Sequence, residues 1–191
     1  MSYFNILFVI VIIVIVLERF WETFLSHKSH DKGIIENQWT LWGLTLIYGL
    51  IIFLTLLEYF IIIRKINYTI SALGFCLFTV AFWGRYYSIK ALGRFHSINI
   101  EVKKGHILIK NGLYKYIRHP YYLSIMLEVS GITLFGNAFY TFCFALMTYI
   151  PLVFIRVALE ETMMIKNIGK EYLSYKSEVN AFWPSFKKNR K

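Results

Sequence analysis

The sequence predicts an all-α membrane protein with about five transmembrane helices, on three observations. Hydrophobic residues make up 57% of the 191 residues, and the mean hydropathy of +0.52 exceeds what a soluble domain of this length needs. The apolar residues fall into runs of about the length that crosses a bilayer. Lys and Arg gather between and after those runs, as they do on the cytoplasmic side of membrane proteins.

The first part of the chain contains three apolar runs, which predict three membrane-spanning helices. The runs cover about residues 3–25, 41–63 and 68–89. The first run has neither a basic segment before it nor a small-residue cleavage site, so we interpret it as a retained helix rather than a signal peptide. Only the residues RKIN separate the second run from the third, which predicts a tight antiparallel hairpin. These helices form the predicted N-terminal unit, residues 1–89.

Residues 90–191 form the predicted catalytic region. After a polar segment come two shorter apolar runs at about 121–136 and 139–159, and the residues GNAF join them as a helical hairpin. The tail from about 160 to 179 mixes apolar and charged residues. This composition predicts an amphipathic helix that lies on the membrane surface or caps the bundle. We expect Gly169 to interrupt that helix.

The distribution of basic residues predicts the orientation in the membrane. With five spans and an external N-terminus, sixteen Lys and Arg residues of the connections and the tail fall on the cytoplasmic side, and two, Arg64 and Lys65, fall outside. The positive-inside rule strongly favours this orientation over its inverse. We therefore expect the polar segment, the C-terminal tail and the active site on the cytoplasmic face.

The net charge of +10 is explained by contact with anionic lipid rather than with nucleic acid. The sequence has neither a basic helix nor an RNA-binding aromatic motif. Cys76 and Cys143 both lie in apolar runs without CxxC spacing, which predicts neither a disulfide nor a zinc site. The histidines lack the spacing of a ligand set, so we expect no metal.

Several ionisable residues fall inside or at the ends of the predicted spans, where an uncompensated charge costs at least about 2.5 kcal/mol. They are Glu18, Arg19, Glu22, Glu58, Arg85, Glu128, Arg156, Glu160 and Glu161. The first three are expected to anchor their helix at the interface. For Glu58 and Arg85 an interfacial role and an interior role both remain open. Glu128 lies in the middle of its run and is expected to be paired or to face a cavity.

Two short motifs carry candidate chemistry. In RHPYY, Pro120 suits the first turn of a helix, and the free amides of that turn, with Arg118 and His119, would attract an anion. In RVALEE, Arg156 and Glu160 are four residues apart and therefore share one helix face. Each motif also has a plainer explanation. The first could be a helix start flanked by basic anchors, and the second could be a surface ion pair.

These motifs and their spacing resemble the isoprenylcysteine carboxyl methyltransferase family, which is grouped with the phospholipid methyltransferases. The resemblance covers about residues 90–184 and is carried by GHILIKNGLYKYIRHPYYLS, RVALEE and GKEYLSYKSEVNAFWP. Members of the family are small integral-membrane enzymes that use S-adenosylmethionine. The sequence departs from the family where Ser124 takes the place of a frequent glycine, which affects helix packing more than chemistry.

The resemblance implies a cytoplasmic cofactor pocket built from the segment 90–120, the last helical hairpin and the tail. The residues that it places at the S-adenosylmethionine are His106, Ile107, Leu108, Ile109, Tyr114, His119, Pro120, Tyr121, Tyr122, Glu160 and Glu161. Arg156 is implied to face the acceptor and to act in catalysis with Glu160. Glu128 is assigned to the same acceptor site, because it is expected to face a cavity.

The predicted function is that of a membrane O-methyltransferase that depends on S-adenosylmethionine. Its acceptor is a carboxylate or a hydroxyl of a lipophilic molecule, either isoprenylcysteine-like or alkylpyrone-like. Methyl transfer from a sulfonium is an in-line displacement, so such an enzyme mainly positions two reactants and excludes water. The alternative is a small multi-pass transporter or channel that uses Glu58, Glu128 and Arg156 along a polar path. Membrane lipid is the other expected partner.

Overall fold

The computed structural model describes residues 3–22, 34–36, 38–62, 65–97, 99–102 and 108–185, and only the backbone of 34–36, 94 and 100–102. The helices within these ranges are α1 (Tyr3–Phe20), α2 (Gln38–Leu57), α3 (Tyr68–Leu92), α4 (Pro120–Phe135), α5 (Phe139–Ile168) and α6 (Lys170–Glu178). A π-helical turn, Glu58–Ile62, extends α2, and 3-10 turns cover Gly93–Phe95 and Gly112–Lys115. Two short strands, β1 (Ile34–Glu36) and β2 (Ile100–Val102), pair antiparallel.

Five of these helices meet at one end of the bundle. The Tyr59 hydroxyl, just after α2, donates to the side chain of Asn5 in α1 over 2.7 Å. The backbone N–H of Asn67, just before α3, donates to the side chain of Asn137 between α4 and α5, over 2.8 Å. Glu58 reaches the first turn of α5 at the same place. This end therefore holds the starts of α1, α3 and α5 and the ends of α2 and α4.

The opposite end holds the other connections. Strand β1 lies between α1 and α2, and β2 lies between α3 and α4, so the pairing of Ile35 with Glu101 brings these two connections together. Arg118, just before α4, binds Glu161 near the end of α5. Helices α1 to α5 therefore alternate in direction through the bundle. The sequence analysis did not predict the strand pair, because three residues are too few for an alternating pattern to be recognised.

Three helices among the described residues are long and apolar enough to cross a membrane. They are Tyr3–Phe20, Gln38–Ile62 and Phe139–Ile168. Their outer faces are apolar and exposed, for example at Leu46, with 71% of its surface exposed, and at Met147, with 74%. Faces of this kind suit contact with lipid tails, so the structure agrees with the membrane class that the composition predicts.

A glycine separates α5 from α6. The apolar run predicts that the last span ends near residue 159, but α5 continues to Ile168 because the charged residues after 159 are good helix formers. Gly169 then ends the helix with a φ of 68°, which residues with a side chain rarely adopt. Its N–H donates to the carbonyl of Ile165. The predicted interruption at Gly169 is therefore confirmed.

Glu58 is buried and caps the start of α5. Its carboxylate accepts hydrogen bonds from the N–H of Tyr140 at 3.1 Å, the N–H of Thr141 at 2.9 Å and the Thr141 hydroxyl at 2.7 Å. Amides of the first helical turn have no carbonyl partner within their own helix, and the helix dipole favours a negative charge beside them. Glu58 therefore has its partners inside the protein, and its position relative to the membrane interface stays a prediction.

Helices α3 and α4 approach each other through glycines. Gly74 of α3 faces the backbone of Phe135 and of Gly131 in α4. A Cβ on Gly131 would lie 2.7 Å from the backbone nitrogen of Phe78 and 2.8 Å from the carbonyl oxygen of Gly74, which is closer than side chains pack. The two backbones therefore come together as they do at small-residue interfaces between membrane helices.

Gly131→Ala is predicted to destabilise the protein by about 1–3 kcal/mol, because the added methyl group forces α3 away from α4. Gly49→Ala is the matched control. A Cβ at Gly49 of α2 has nothing within 4 Å, so that variant should be neutral or more stable by up to about 1 kcal/mol. Thermal unfolding in detergent micelles measures both changes. Equal stability of the two variants would contradict the close approach of α3 and α4.

Candidate active site

A cavity of about 200 Å³ opens between α1, α2, α4, α5 and α6 and the segments that follow α3. Its charged and histidine side chains are Arg19, Glu22, His96, Arg118, His119, Arg156 and Glu160. Its aromatic and apolar side chains include Leu41, Leu44, Tyr48, Leu108, Ile109, Tyr114, Tyr121, Tyr122, Ile125, Tyr149, Met163, Met164, Tyr172 and Tyr175. A concave surface with both kinds of wall suits a ligand that has charged and apolar parts.

One tyrosine hydroxyl joins the two charged residues of the RVALEE motif. The hydroxyl of Tyr122 donates to Oε2 of Glu160 over 2.6 Å and accepts from Nε of Arg156 over 3.2 Å. Nη1 of Arg156 also donates to Oγ1 of Thr40 in α2 over 2.6 Å. Only 3% of the Arg156 surface is exposed, so the explanation of this motif as a surface ion pair is wrong. Packing of α2, α4 and α5 creates the arrangement.

The preceding tyrosine contacts a second carboxylate. The hydroxyl of Tyr121 donates to Oε1 of Glu22 over 2.6 Å. Nε2 of His96 lies 3.9 Å from the same oxygen, and Nη1 of Arg19 lies 3.3 Å from Oε2. Glu22 is buried and both residues line the cavity, so Glu22 and Arg19 face the interior of the bundle. Their position relative to the membrane interface stays a prediction.

Aromatic and thioether side chains form another part of the wall. The aromatic ones are Tyr114 of the 3-10 turn and Tyr172 and Tyr175 of α6, and the thioethers are Met163 and Met164 of α5; the aliphatic side chains of Leu108 and Ile109 lie in the same wall. The hydroxyl of Tyr175 donates to the backbone carbonyl of Tyr114 over 2.5 Å. Burial raises the pKa of Tyr175 to about 12, so the hydroxyl keeps the proton that this bond requires at neutral pH. Helix α6 is thereby fixed to the turn that carries Tyr114.

The basic corner of RHPYY holds an anion that the chain itself supplies. Oε1 of Glu161 lies 2.8 Å from Nη2 of Arg118 and 3.0 Å from Nε2 of His119. Its Oε2 lies 2.6 Å from Nζ of Lys176. Arg118 also donates to the carbonyls of Lys176 and Val179, so the tail caps this end of the bundle. Glu161 is surrounded by basic groups and lies outside the cavity lining, which does not agree with its implied contact to a cofactor.

Glu128 belongs to a buried ionic cluster behind the cavity wall. Nη2 of Arg19 lies 2.8 Å from its Oε2, and Arg85 forms ion pairs with both Glu128 and Glu18. The hydroxyl of Tyr48 donates to its Oε1 over 2.5 Å. The expectation that Glu128 is paired is therefore confirmed. Arg85, its partner, lies in the interior of the bundle. The structure does not support the assignment of Glu128 to the acceptor site, because Arg19, Arg85 and Tyr48 already bind its carboxylate oxygens.

A sequence model of the isoprenylcysteine carboxyl methyltransferase family matches residues 72–166. This interval covers most of α3, all of α4 and nearly all of α5, and it includes both the RHPYY and the RVALEE motifs. The chain belongs to the isoprenylcysteine carboxyl methyltransferase family. The resemblance that the motifs indicated is therefore confirmed.

Relatives of this isoprenylcysteine carboxyl methyltransferase family member occur in a yeast and in bacteria. A protein-S-isoprenylcysteine O-methyltransferase of Schizosaccharomyces pombe is 30% identical over 119 residues, which are 59% of this chain and 48% of that protein. An uncharacterized protein of Haemophilus influenzae is 32% identical over 95 residues, 49% of this chain and 55% of that protein. The uncharacterized protein YpbQ of Bacillus subtilis is 32% identical over 77 residues, 40% and 46% of the two chains. The chain thus spans about half the length of the curated relatives it matches.

In this family member, most of the residues implied by the resemblance meet in one cavity. Those that line it are Leu108, Ile109, Tyr114, His119, Tyr121, Tyr122, Arg156 and Glu160. Pro120 is the first residue of α4, as predicted. His106 and Ile107 lie outside the described residues. The contacts of all these residues with a cofactor or an acceptor stay predictions.

Ser124, where the family often has glycine, is accommodated by a glycine on the neighbouring helix. Its Oγ donates to the carbonyl of Pro120 over 2.9 Å. A Cβ on Gly84 of α3 would lie only 2.6 Å from this Oγ. The absence of a side chain at Gly84 therefore leaves the space that the Ser124 hydroxyl occupies.

The motifs did not identify the part of the wall that comes from α1 and α2. Arg19, Glu22 and Tyr48 belong to the N-terminal apolar runs, where the resemblance is weak. One signal was available, since Glu18 and Glu22 are four residues apart and share one face of an otherwise apolar helix. Charges repeated on one face indicate that this face is turned toward partners inside the bundle.

Glu128→Leu is predicted to destabilise the protein by about 3–5 kcal/mol, because it leaves the buried guanidinium groups of Arg19 and Arg85 without their shared carboxylate. The control is Glu171→Ala, which removes the exposed ion pair with Lys110 at 2.9 Å. That change should cost less than about 1 kcal/mol. Thermal unfolding in micelles compares the two. A Glu128→Leu variant as stable as the control would show that the cluster does not hold the bundle together.

Proposed function

We propose that this protein is a membrane O-methyltransferase that uses S-adenosylmethionine and a lipophilic acceptor with a carboxylate or a hydroxyl. The observation that carries the proposal is the contact of Tyr122 with both Arg156 and Glu160 in the wall of the cavity. A cation and an anion lie there within reach of one hydroxyl, among helices that exclude bulk water. Membership of the family and the name of the Schizosaccharomyces pombe relative support the same class of reaction.

The residues of the cavity fit S-adenosylmethionine. Glu160 provides a carboxylate for the ammonium or the sulfonium charge of the cofactor. Tyr114, Tyr172 and Met163 provide the flat and polarisable surfaces against which a purine can pack. When bound, the cofactor supplies a methyl group on a positively charged sulfur. The residues of the chain orient this group, place an opposite charge beside it and exclude water.

The acceptor is proposed to enter from the membrane side of the cavity. Leu41, Leu44 and Ile125 form an apolar wall there, and Thr40, next to Leu41, binds Arg156. An apolar tail would lie along these side chains while Arg156 holds an anionic oxygen in line with the methyl group. A carboxylate is already ionised at neutral pH and needs no base. An isoprenylcysteine-like acceptor therefore requires the fewest catalytic groups.

A hydroxyl acceptor requires, in addition, a group that takes its proton. Glu22 lines the cavity, with the Tyr121 hydroxyl 2.6 Å and the His96 Nε2 3.9 Å from its carboxylate. A carboxylate beside an imidazole can accept a proton from an acidic hydroxyl. In that reaction the hydroxyl oxygen gains the methyl group as its proton passes to Glu22. The position of the Glu22 carboxylate beside His96 is the observation that supports an alkylpyrone-like acceptor as the second candidate.

The proposed topology has five spans, an external N-terminus and a cytoplasmic C-terminus. It is supported by the alternation of α1 to α5 between the two ends of the bundle and by the distribution of Lys and Arg. Helix α4 has 16 residues, about 24 Å of helix, and would cross the core of the bilayer, which is about 30 Å thick, with its ends at the interfaces. Residues 1–89 would form much of the acceptor wall, and residues 90–191 the cofactor wall.

The alternative of a transporter or channel relied on a polar path along three charged residues. Glu58 binds amides of α5 at one end of the bundle. Glu128 binds two arginines, and Arg156 binds the hydroxyls of Tyr122 and Thr40. Because each of these charges is held by groups of the bundle itself, the enzyme is favoured over a pore.

Calorimetry with S-adenosylmethionine, without acceptor, tests the cofactor site. The parent protein should bind the cofactor, and Glu160→Gln should bind it at least about tenfold more weakly, because about 1.4 kcal/mol of charge interaction is lost. Arg156→Ala should bind it nearly as the parent does. In a methyl-transfer assay, however, Arg156→Ala should lose turnover by a factor of about 10² or more, because the acceptor is no longer held in line.

The matched control for both variants is Glu171→Gln, an exposed carboxylate of α6 that lies outside the cavity lining. It should change neither affinity nor turnover. Absence of binding by the parent protein at millimolar cofactor would refute the proposed function. Parental turnover in Arg156→Ala would instead refute only the role of Arg156.

Glu22→Gln is predicted to distinguish the two acceptor classes. With an alkylpyrone that carries a free hydroxyl, turnover should fall by about 10², because no carboxylate takes the proton. With N-acetyl-S-farnesylcysteine, whose carboxylate is ionised, turnover should change little. Glu171→Gln is again the control, since it removes an exposed carboxylate that does not line the cavity. Equal losses on both acceptors would give Glu22 a structural role only.

A further inference from the structure

A second cleft lies between the last turns of α3 and the 3-10 turn Gly112–Lys115. Its lining consists of Tyr87, Lys90, Ala91, Asn111, Gly112, Leu113 and Tyr116. None of these residues lines the first cavity. The proposed methyl transfer therefore does not use this cleft, although the cleft adjoins the segment that carries the RHPYY motif.

The inner part of this cleft is apolar, and two basic residues lie at its edge. Lys90 belongs to the lining, and Lys115 directly precedes the lining residue Tyr116. Ala91 and Leu113 are half-buried in it, whereas Lys90 and Lys115 are exposed. The ammonium of Lys90 lies 5.8 Å from the centre of the Tyr86 ring. The ammonium of Lys115 lies 5.5 Å from the centre of the ring of Tyr116, the next residue in the chain. Within the part of the chain that the structure describes, no carboxylate forms an ion pair with Lys90 or Lys115. Among the described residues, this edge of the cleft therefore carries positive charge from Lys90 and Lys115.

Exposed aromatic rings continue from the cleft along α3. Trp83, Tyr86 and Tyr87 are each about half exposed, and the rings of Trp83 and Tyr87 stack with their centroids 6.1 Å apart. Trp83, Tyr87 and Lys90 are separated by four and three residues, so they lie on one face of the helix. Lys90 follows Trp83 by about 10 Å of rise along the helix axis. Aromatic rings followed by a lysine in this way are typical of the boundary between the bilayer and water.

We propose that this cleft binds an anionic phospholipid of the surrounding bilayer. Its phosphate would lie between the ammonium groups of Lys90 and Lys115, and the side-chain amide of Asn111 could bond to the headgroup. The acyl chains would follow α3 past Trp83. The positive charge at the edge of the cleft favours an anionic lipid over a zwitterionic one, because a choline or ethanolamine group would bring a second positive charge to it.

The lipid site and the first cavity share one short turn. Leu113 and Tyr116 of this turn line the cleft, whereas Tyr114 lines the cavity. The turn begins at Gly112, whose φ of 57° suits a residue without a side chain. A lipid that fills the cleft would therefore support the turn that positions Tyr114. Lipid binding itself does not depend on the proposed enzymatic activity and can be measured without it.

Native mass spectrometry of the full chain, with phosphatidylglycerol or phosphatidylcholine added, tests the proposal. The parent protein should retain phosphatidylglycerol in preference to phosphatidylcholine. The double variant Lys90→Gln, Lys115→Gln should lose that preference by about tenfold or more, because each basic side chain near an anionic headgroup contributes a factor of about five. Both lysines are exposed, so the variant should fold as the parent does.

The matched control is the double variant Lys65→Gln, Lys170→Gln, which removes the same charge from exposed positions outside the cleft. This variant should keep the preference of the parent. The proposal is overturned if the parent binds the two lipids equally or if the Lys90, Lys115 variant retains phosphatidylglycerol as the parent does. It is also overturned if the control variant loses the preference to the same extent, since the attraction would then come from net charge alone.

Discussion

The burial of the Glu128 carboxylate in an apolar bundle determines how α1, α3 and α4 pack, and the cavity depends on that packing. A charge in this position must meet an opposite charge, which Arg19 supplies from α1 and Arg85 from α3. Because these contacts fix α1 against α4, Glu22, one turn beyond Arg19, comes within hydrogen-bond distance of Tyr121. An apolar contact between the helices would not define their register in this way, because it has no direction. Glu128 and Arg85 thus determine a wall of the cavity, although neither residue lines it.

The start of α4 directs two neighbouring hydroxyls to different walls of the cavity. Consecutive residues of a helix point about 100° apart, so Tyr121 donates toward α1 and Tyr122 toward α5. This arrangement requires that the helix begin at a fixed residue. Pro120 sets the first turn, and Glu161 holds the basic residues before it against α5. The RHPYY motif can therefore be understood as a rigid helix start that places two donors, rather than as a binding site for an external anion.

The sequence was sufficient for the features that arise within one segment. The helices followed from apolar runs, the break at Gly169 from one residue, and the shared face of Arg156 and Glu160 from their spacing. The features that it missed join segments far apart in the chain. The hydroxyl between Arg156 and Glu160 belongs to Tyr122 of another helix, and the amides that bind Glu58 lie more than eighty residues away. Such contacts depend on how whole helices pack, which no local pattern records.

The charges of the cavity also imply that the two reactants of the proposed reaction bind cooperatively. Glu160 and Arg156 share the hydroxyl of Tyr122, so in the absence of ligands their opposite charges lie close together and partly cancel. If the cationic cofactor binds at Glu160, as proposed, it offsets that carboxylate, and the wall that faces the acceptor becomes more positive through Arg156. An anionic acceptor would then be attracted more strongly to the loaded protein than to the empty one. Electrostatic coupling between two bound ligands must be reciprocal, so a bound acceptor would hold the cofactor more tightly by the same factor. The contact that brings the two charges together would therefore also link the two binding events.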